Sequence, residues 1–238
     1  MVRKSKEIWK VYKNVFDQFT ERLIFKLKTQ KIIDELKSPI QIGKEANVFS
    51  ASTPSGKDVI VKIYRLESCN FNQMFNYIKQ DKRFMHLKKR RREIIFAWVQ
   101  REHRNLLKAR GAGVRVPSPL AYLNNIVVLE YIGDDEVAPQ LKNAIPDNPE
   151  KFFKDLMADY KKLYQDASLI HGDFSEFNIL NYKEKPVLID FSQCTPVKSP
   201  NGNELLVRDV KNICRFFKKI GYETDEKEVI SYIKEKRK

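Results

Sequence analysis

The chain has 238 residues, of which 42% are hydrophobic and 32% are charged, and its formal net charge is +14. No segment approaches the roughly 20 apolar residues that a membrane-spanning helix needs, and the three isolated cysteines fit neither a zinc site nor a disulfide framework. We therefore expect a soluble, cytoplasmic protein of two lobes or two small domains, without a membrane partner. The excess of Lys and Arg favours polyanionic partners, unless it only solvates the surface.

The first 38 residues carry helical patterns. Apolar residues recur at helical spacing up to Phe19, and a second helix is predicted from Thr20, as its N-cap, to about Leu36, shortly before Pro39. We expect residues 1–38 to pack on the lobe that follows rather than to form a separate domain.

Residues 39–132 are predicted to form the first lobe, with an antiparallel sheet. Two strand-like runs, 40–51 and 58–64, are joined by a turn-rich connection and form a hairpin. The first run contains I-G-K-E-A-N-V-F, in which small residues would let backbone N–H groups approach phosphates. The predicted ATP contacts in this loop are Gly43, Lys44, Glu45, Ala46, Asn47 and Val48.

A single lysine interrupts the apolar second strand. Lys62 lies in V-I-V-K-I-Y, at the distance from the glycine loop that is expected of the lysine in the V-A-I-K pattern of kinases. Glu102 is its natural partner, in a helix predicted from Ile94 to Arg110 with Gly111 as the C′ residue. Local pairing of Glu102 with neighbouring arginines is the competing role.

A basic insert at about 68–92 interrupts the first lobe. It mixes aromatic residues with cations, a composition typical of a nucleic-acid contact, where cations follow phosphates and rings stack on bases. A mobile solvated loop explains the composition equally well. The candidate RNA contacts are Lys88, Lys89, Arg90, Arg91 and Arg92.

The first lobe is predicted to end in a hinge. Two strands, 114–120 and 126–131, lead into a polar linker. Adenine would be held there by backbone N–H and C=O groups near Glu130 and Ile132. Because the backbone makes these contacts, the side chains at the hinge carry little information.

Residues 133–238 are predicted to form a mainly helical second lobe that carries the most informative motif. Residues His171 to Asn178 read H-G-D-F-S-E-F-N, and a later apolar run ends on Asp190. The spacing of Asp173, Asn178 and Asp190 matches the catalytic and metal loops of kinases. On its own, such a string is short enough to arise by chance.

A predicted short hairpin would bring two of these three residues together. Runs 179–182 and 187–189 look like its strands, so Asn178 and Asp190 should lie side by side. Two neighbouring oxygens suit Mg²⁺, with Mn²⁺ as an alternative, because this ion takes one or two protein ligands plus substrate phosphates. Asp173 would project toward the same place from the preceding loop.

Seven segments in combination resemble the RIO family of atypical serine/threonine protein kinases, in the subfamily without a winged helix and of the compact archaeal type. They are I-G-K-E-A-N-V-F, V-K-I-Y-R, Q-R-E-H-R-N-L, L-E-Y-I-G-D-D, I-H-G-D-F-S-E-F-N-I-L, L-I-D-F-S-Q and R-D-V-K-N-I-C-R-F-F. The resemblance implies an α+β, bilobal kinase-like fold, with a sheet plus helices in the first lobe and a mainly helical second lobe. It also implies that the protein uses ATP and Mg²⁺ as its cofactors.

The resemblance implies roles for individual residues. Lys62 and Glu102 would anchor phosphates, Asp173 would be the catalytic acid-base residue, and Asn178 and Asp190 would bind metal. In this family the metal-loop acid, here Asp190, is also proposed to accept the phosphoryl group as an aspartyl-phosphate during ATP turnover. The family is associated with maturation of the small ribosomal subunit, so the implied partners are its precursor or RNA, and the implied acceptors are a protein or the chain itself.

Departures from the ordinary kinase pattern limit the regulation that we expect. Gly172 replaces the Arg of H-R-D, Ser192 replaces the Gly of D-F-G, and no A-P-E segment precedes the helix near Leu205. Control through activation-loop phosphorylation is therefore not expected. Asp209 either supports the catalytic loop through backbone hydrogen bonds or is a simple helix-start carboxylate.

Two other functions fit parts of the pattern. Aminoglycoside and choline kinases also use H-G-D-x-x-x-x-N, although their acceptor sites are normally acid-rich and this chain is basic. A nucleotide-switched module that binds RNA or a pre-ribosome would show ATP-dependent association with negligible turnover.

Overall fold

The computed structural model describes residues 16–79, 84 and 86–235. Its strands are β1 (Glu35–Ile42), β2 (Ala46–Ser52), β3 (Asp58–Tyr64), β4 (Pro119–Leu123), β5 (Ile126–Glu130), β6 (Leu169–Ile170), β7 (Ile179–Tyr182), β8 (Lys185–Leu188) and β9 (Thr195–Pro196). Its helices are α1 (Gln18–Thr29), α2 (Phe71–Lys79), α3 (Arg91–Gly111), α4 (Pro149–Gln165), α5 (Gly202–Lys219) and α6 (Glu226–Lys234).

The first lobe is built on one antiparallel sheet with the strand order β1-β2-β3-β5-β4. Side chains alternate along β3, so Val61 and Ile63 face one side of the sheet and Lys62 faces the other. The first side packs against α1 in a core that includes Ile24 and Phe49. The alternation therefore directs the one charged side chain of the β3 interior toward α3 and the second lobe.

Helix α1 differs from its prediction at both ends. Asp17, not Thr20, is the N-cap, because its carboxylate accepts the backbone N–H of Thr20 at 2.8 Å. The helix ends at Thr29, and the predicted continuation to Leu36 is wrong because those residues lead into β1. Pairing with β2 overrode the helical periodicity of this segment. The apolar pattern of residues 1–15 lies outside the described residues.

The predicted single strand 40–51 is in fact two strands joined by a tight turn. β1 ends at Ile42 and β2 begins at Ala46, so the candidate nucleotide loop is the turn of a hairpin. A Cβ on Gly43 would lie 2.8 Å from the carbonyl oxygen of Ala46, so the close approach requires glycine. Pro39, expected to follow a helix, lies in β1 at an irregularity of this edge strand.

The basic insert 68–92 contains more regular structure than the sequence suggested. It includes α2, and α3 begins at Arg91, so the last two of the five consecutive cations lie in a helix. α3 runs through Gly111, and the left-handed residue beyond it is Gly113, with φ of +73°. Residues 114–118 are not a strand, because backbone N–H groups there bond to the end of α3 and to α4.

The second lobe is mainly helical, as predicted. α4 begins at the N-cap Asn148, whose side chain accepts the N–H of Lys151 at 2.9 Å. β7 and β8 pair as expected, but their turn consists of only Lys183 and Glu184, both with positive φ. Within the described ranges, we find no helix with the length and apolarity required to cross a bilayer.

A buried asparagine tests how α1 is joined to the sheet. Asn125 is fully buried and donates to the hydroxyl of Thr20 at 3.1 Å and to the carbonyl of Tyr64 at 2.8 Å. Asn125→Ala should lower the free energy of unfolding by about 1–3 kcal/mol, because the buried carbonyl loses its donor. Chemical denaturation measures this change. Asn76→Ala, at an exposed position of α2, should cost no stability, and an equally small effect of Asn125→Ala would contradict the prediction.

Candidate active site

A cavity of about 690 Å³ lies between the sheet and the second lobe. Its wall includes the turn between β1 and β2, the segment after β5, and residues at the ends of β7 and β8. Its apolar side chains include Val48, Ile60, Leu129, Ile132, Leu180 and Ile189. An apolar slot with charged groups in its wall suits a ligand that carries both a flat base and anionic groups.

Three elements meet at the ammonium group of Lys62. Its Nζ lies 2.8 Å from Oε1 of Glu102 on α3 and 2.9 Å from Oδ1 of Asp190, which follows β8. The other oxygen of Glu102 accepts the hydroxyl hydrogen of Tyr64 at 2.8 Å. The predicted contact between Lys62 and Glu102 is confirmed, and the tertiary fold adds Asp190 to it.

In this network, attraction between opposite charges affects the pKa values of Lys62 and Asp190 more than burial does. Lys62 is 8% exposed, and burial favours its neutral form, but attraction to Asp190 and Glu102 raises its pKa well above the ordinary value. Burial would also raise the pKa of Asp190, yet Lys62 and a hydrogen bond from the hydroxyl of Ser192 lower it to about 2. Asp190 is therefore an ionised carboxylate at neutral pH.

Helix α3 also holds residues 190–195, the metal loop, in place. Arg101 is fully buried and donates to two backbone carbonyls of this loop, at 3.0 and 2.7 Å. Asn105, one turn further on, donates to two carbonyls of the loop at 3.1 Å. One helix therefore presents Glu102 to the cavity and anchors the metal loop. The sequence pattern indicates Arg101 only as a local partner of Glu102, and it does not mark Asn105.

Residues 171–178, the catalytic loop, bring a second candidate ligand to the cavity. The amide nitrogen of Asn178 donates to the carbonyl of Asp173 at 2.8 Å and to its carboxylate at 2.9 Å. The N–H of Ile189 donates to the carbonyl of Asn178 at 3.0 Å, which brings the two ends of the hairpin together, as predicted. Asn178 and Asp190 both line the cavity. Asp173 is not part of the cavity wall, but it lies beside the wall through its bond to Asn178.

The two candidate ligands fit Mg²⁺. The amide nitrogen of Asn178 is taken up by Asp173, which directs the amide oxygen elsewhere, and Asp190 is a carboxylate. Within the described part of the chain, no group of three or more His, Cys, Asp or Glu residues could hold a metal. A site with two oxygen ligands, completed by water and phosphate oxygens, is characteristic of Mg²⁺.

A buried carboxylate from α5 supports the catalytic loop. Asp209 is fully buried and accepts the N–H groups of Gly172 at 2.8 Å and Phe174 at 3.2 Å. It also accepts the hydroxyl hydrogen of Tyr160 at 2.7 Å. Of the two roles that the sequence left open for Asp209, support of the loop is the one that these contacts show.

The turn 43–45 is held by the segment that follows β3. The hydroxyl of Ser68 donates to the carbonyl of Lys44 at 2.8 Å, and the thiol of Cys69 donates to the carbonyl of Glu45 at 2.9 Å. These bonds occupy the carbonyl oxygens, which would repel phosphates. Nothing in the sequence pattern marked Ser68 or Cys69, because the contacts join residues more than 20 positions apart.

Two predicted nucleotide contacts, Asn47 and Glu130, differ in where their side chains lie. Asn47 lies in β2, where alternation turns its side chain to the buried face opposite Ala46 and Val48, and it is not part of the cavity wall. Its contact with ATP, which the loop pattern predicts through backbone N–H groups, stays a prediction. Glu130 lines the cavity, but its carboxylate accepts the hydroxyl hydrogen of Ser118 at 2.6 Å. Because the carboxylate of Glu130 is engaged, the groups left at this hinge to bind a base are backbone N–H and C=O groups.

The five consecutive cations lie on the surface and outside the cavity wall. Residues 88–92 are all exposed. The guanidinium of Arg91 lies 4.9 Å from the ring centroid of Phe71, and the ammonium of Lys89 lies 5.7 Å from that of Phe75. Both rings also pack against the main core, so they are poorly placed for base stacking. A nucleic-acid contact here would depend on charge.

The geometry defines a class of protein. A strand lysine that is paired with a helix glutamate, above an Asn and an Asp from a helical lobe, is the layout of the protein-kinase fold, which transfers the γ-phosphoryl group of ATP. A family model described as the RIO domain matches residues 47–229. The chain therefore belongs to the RIO family.

Relatives agree with this assignment. The chain is 36% identical over 231 residues to the RIO-type serine/threonine-protein kinase Rio1 of Haloferax volcanii, with 97% of this chain and 79% of that one covered. It is 39% identical over 233 residues to the kinase of the same name from Methanocaldococcus jannaschii, with the same coverage. The predicted relationship to compact archaeal RIO kinases is confirmed, and the protein is a phosphotransferase of this type.

A solved structure supports the fold. The Rio2 kinase-ADP/Mg²⁺-phosphoaspartate complex from Chaetomium thermophilum matches with a TM-score of 0.68 and 25% identity. The match covers 87% of this chain and 63% of that longer chain. The predicted α+β, kinase-like fold is confirmed.

Removing the ammonium group of Lys62 should change the pKa of Asp190. Lys62→Met should raise the pKa of Asp190 from about 2, because Lys62 is the strongest influence that favours the ionised carboxylate. Carboxyl NMR titration measures this. The lowered pKa stabilises the fold fully above the ordinary value of 3.8, and this contribution is lost as the pH falls from there toward 2. Lys62→Met should therefore weaken the pH dependence of stability in that window.

The control for this titration is Lys57→Met, at an exposed position in the turn between β2 and β3. It should leave the pKa of Asp190 unchanged. An equal pKa in Lys62→Met and in the unaltered protein would show that the ion pair does not govern Asp190.

Proposed function

We propose that this protein is a Mg²⁺- and ATP-dependent RIO-type serine/threonine kinase that acts on precursors of the small ribosomal subunit. The observation that carries the catalytic part is the contact of Lys62 with both Glu102 and Asp190 in the wall of a cavity of about 690 Å³. The ribosomal part is supported by family membership and by the exposed basic cluster at 88–92.

ATP would bind with its adenine in the apolar slot and its phosphates near Lys62. The backbone near Glu130 and Ile132 would hold the base, and the N–H groups of the turn 43–45 would hold phosphate oxygens. Asn178 and Asp190 would hold Mg²⁺, or Mn²⁺ in its place. When bound, the ion neutralises phosphate charge and orients the γ-phosphoryl group.

Transfer to a serine or threonine hydroxyl would use Asp173. Its carboxylate accepts the hydroxyl proton while the hydroxyl oxygen forms a bond to the γ-phosphorus. The bond between the γ-phosphorus and the bridging oxygen breaks, and ADP leaves with the electron pair. Asn178 keeps the carboxylate of Asp173 oriented through the bond at 2.9 Å.

A second route would end in ATP hydrolysis. An oxygen of Asp190 attacks the γ-phosphorus, ADP leaves, and water then hydrolyses the aspartyl-phosphate to restore the carboxylate and release phosphate. Two observations support this route: the phosphoaspartate in the related Rio2 complex, and the ionised state of Asp190, whose pKa is about 2. Only a short segment lies between the metal loop and α5, which leaves little platform for an extended peptide.

The other functions considered have less support. Family membership argues against an aminoglycoside- or choline-type kinase, and Lys44 and Lys142 in the cavity wall do not suit a cationic acceptor. A purely nucleotide-switched binding module would not need Asp173 beside the metal ligands. A role on ribosome precursors would place the protein in the cytoplasm.

Radiolabelled ATP separates the proposed reactions. In Asp173→Asn, phosphorylation of serine or threonine should fall by roughly 100-fold or more, because the proton acceptor is lost. In Asp190→Asn, all turnover and any hydroxylamine-labile phosphoenzyme should disappear. The measurement identifies label on Ser or Thr, on Asp, or in free phosphate, with and without small-subunit particles.

The matched control for these variants is Asp34→Asn, which changes an exposed carboxylate outside the cavity wall. It should keep the full activity. Turnover that survives in both Asp173→Asn and Asp190→Asn would refute the assignment of the site.

Neutralising the basic cluster tests the nucleic-acid partner. Replacing residues 88–92 by glutamine should weaken binding to ribosomal RNA and flatten its salt dependence, by up to roughly 0.7 in log–log slope for each lost contact with single-stranded phosphate. Binding is measured over a series of salt concentrations. The charge-matched control replaces five exposed cations of the second lobe, namely Lys211, Arg215, Lys218, Lys219 and Lys227. Equal effects of the two sets would mean that net charge, not this cluster, attracts RNA.

A further inference from the structure

The residue before Asp173 has no room for a side chain. Gly172 has φ of +80°, and a Cβ on it would lie 2.9 Å from the backbone oxygen of Gln193 in the metal loop. Both facts exclude an arginine at this position, where ordinary kinases have one. They also place the most flexible type of residue directly beside the proposed catalytic carboxylate.

Two adjacent residues of α5 hold both backbone polar groups of Gly172. The buried carboxylate of Asp209 accepts its N–H at 2.8 Å, and the guanidinium of Arg208 donates to its carbonyl. The peptide group between Gly172 and Asp173 includes that carbonyl. Arg208 therefore restricts rotation of the very peptide that orients Asp173.

Arg208 lies among groups that stabilise its positive charge. Burial lowers the pKa of its guanidinium, but Tyr77 on α2 and the carboxylates of Asp209 and Asp173 raise it above the ordinary value. The ring of Tyr77 packs edge-on against Trp98 of α3, with centroids 6.0 Å apart. The positive charge of Arg208 therefore lies near both the basic insert of the first lobe and the catalytic loop of the second.

We infer that Arg208 is a positioning residue for phosphoryl transfer: it fixes the Gly172–Asp173 peptide and supplies beside Asp173 the positive charge that position 172 cannot carry. The inference rests on the proposed role of Asp173. Because Arg208 is not part of the cavity wall, it should act on the transfer step and not on ATP binding.

The test compares kcat, KM for ATP and melting temperature in purified variants. Arg208→Gln should lower kcat about 10-fold or more with KM for ATP nearly unchanged, since misplacing a reacting group slows the chemical step. Arg208→Lys should recover part of the loss, because it keeps the charge but donates through a different geometry. Arg215→Gln, exposed two turns further along α5, is the control and should match the unaltered protein.

A double variant separates positioning from general damage. If Arg208 acts through Asp173, then Arg208→Gln should lower kcat little further in a chain that already carries Asp173→Asn. Three results would each overturn the inference: kcat of Arg208→Gln within about twofold of normal, a loss fully additive with Asp173→Asn, or a loss explained by a lower melting temperature and weaker ATP binding. Normal activity of Asp173→Asn itself would instead refute the proposed function.

Discussion

The site depends on one ammonium group that three separate elements share. Lys62 comes from β3, Glu102 from α3 and Asp190 from the metal loop, and their contacts of 2.8 and 2.9 Å join the two lobes. A buried lysine is stable as a cation only while its carboxylates stay in place. The sheet, the helix and the loop must therefore be positioned together, and the rest of the fold provides that positioning.

Helix α3 provides most of the positioning of the site. Glu102 points to the cavity, while Arg101 and Asn105 hold carbonyls of the metal loop from within the core. Arg101 is fully buried, so breaking its bonds would leave a charge without its acceptors. In this arrangement α3 and the metal loop form one unit. Such a unit fits a kinase with only a short segment after the metal loop. It also fits glycine at position 172, in place of the arginine that contacts a phosphorylated activation loop in ordinary kinases.

The backbone of the catalytic loop is controlled in the same way, through α5. Asp209 and Arg208 hold the two polar groups of Gly172, and Tyr160 in turn satisfies Asp209. Position 172 itself has no side chain that could fix the loop, because contact with the metal loop leaves no room there. Support by a neighbouring helix adds to the contacts that Asn178 makes with Asp173 within the loop.

The sequence predicted well wherever the evidence was local or had a known spacing. The hairpin after Asn178, the pairing of Lys62 with Glu102 and the kinase-like class all follow from residue type and distance along the chain. Predictions failed where a distant partner decided the outcome. Residues near Leu36 became a strand because β2 was available to pair with them.

The sequence by itself determined the reactive groups and the family, because a few residue types at fixed spacing are enough to specify phosphoryl transfer. Only the tertiary structure decided that Asp190 contacts Lys62, that Arg101 and Ser68 hold loops, and that Arg208 holds the Gly172 carbonyl. These contacts join residues up to about 130 positions apart, and no local pattern records them. They arise when packing of the two lobes brings distant polar groups together in a space where each must find a partner.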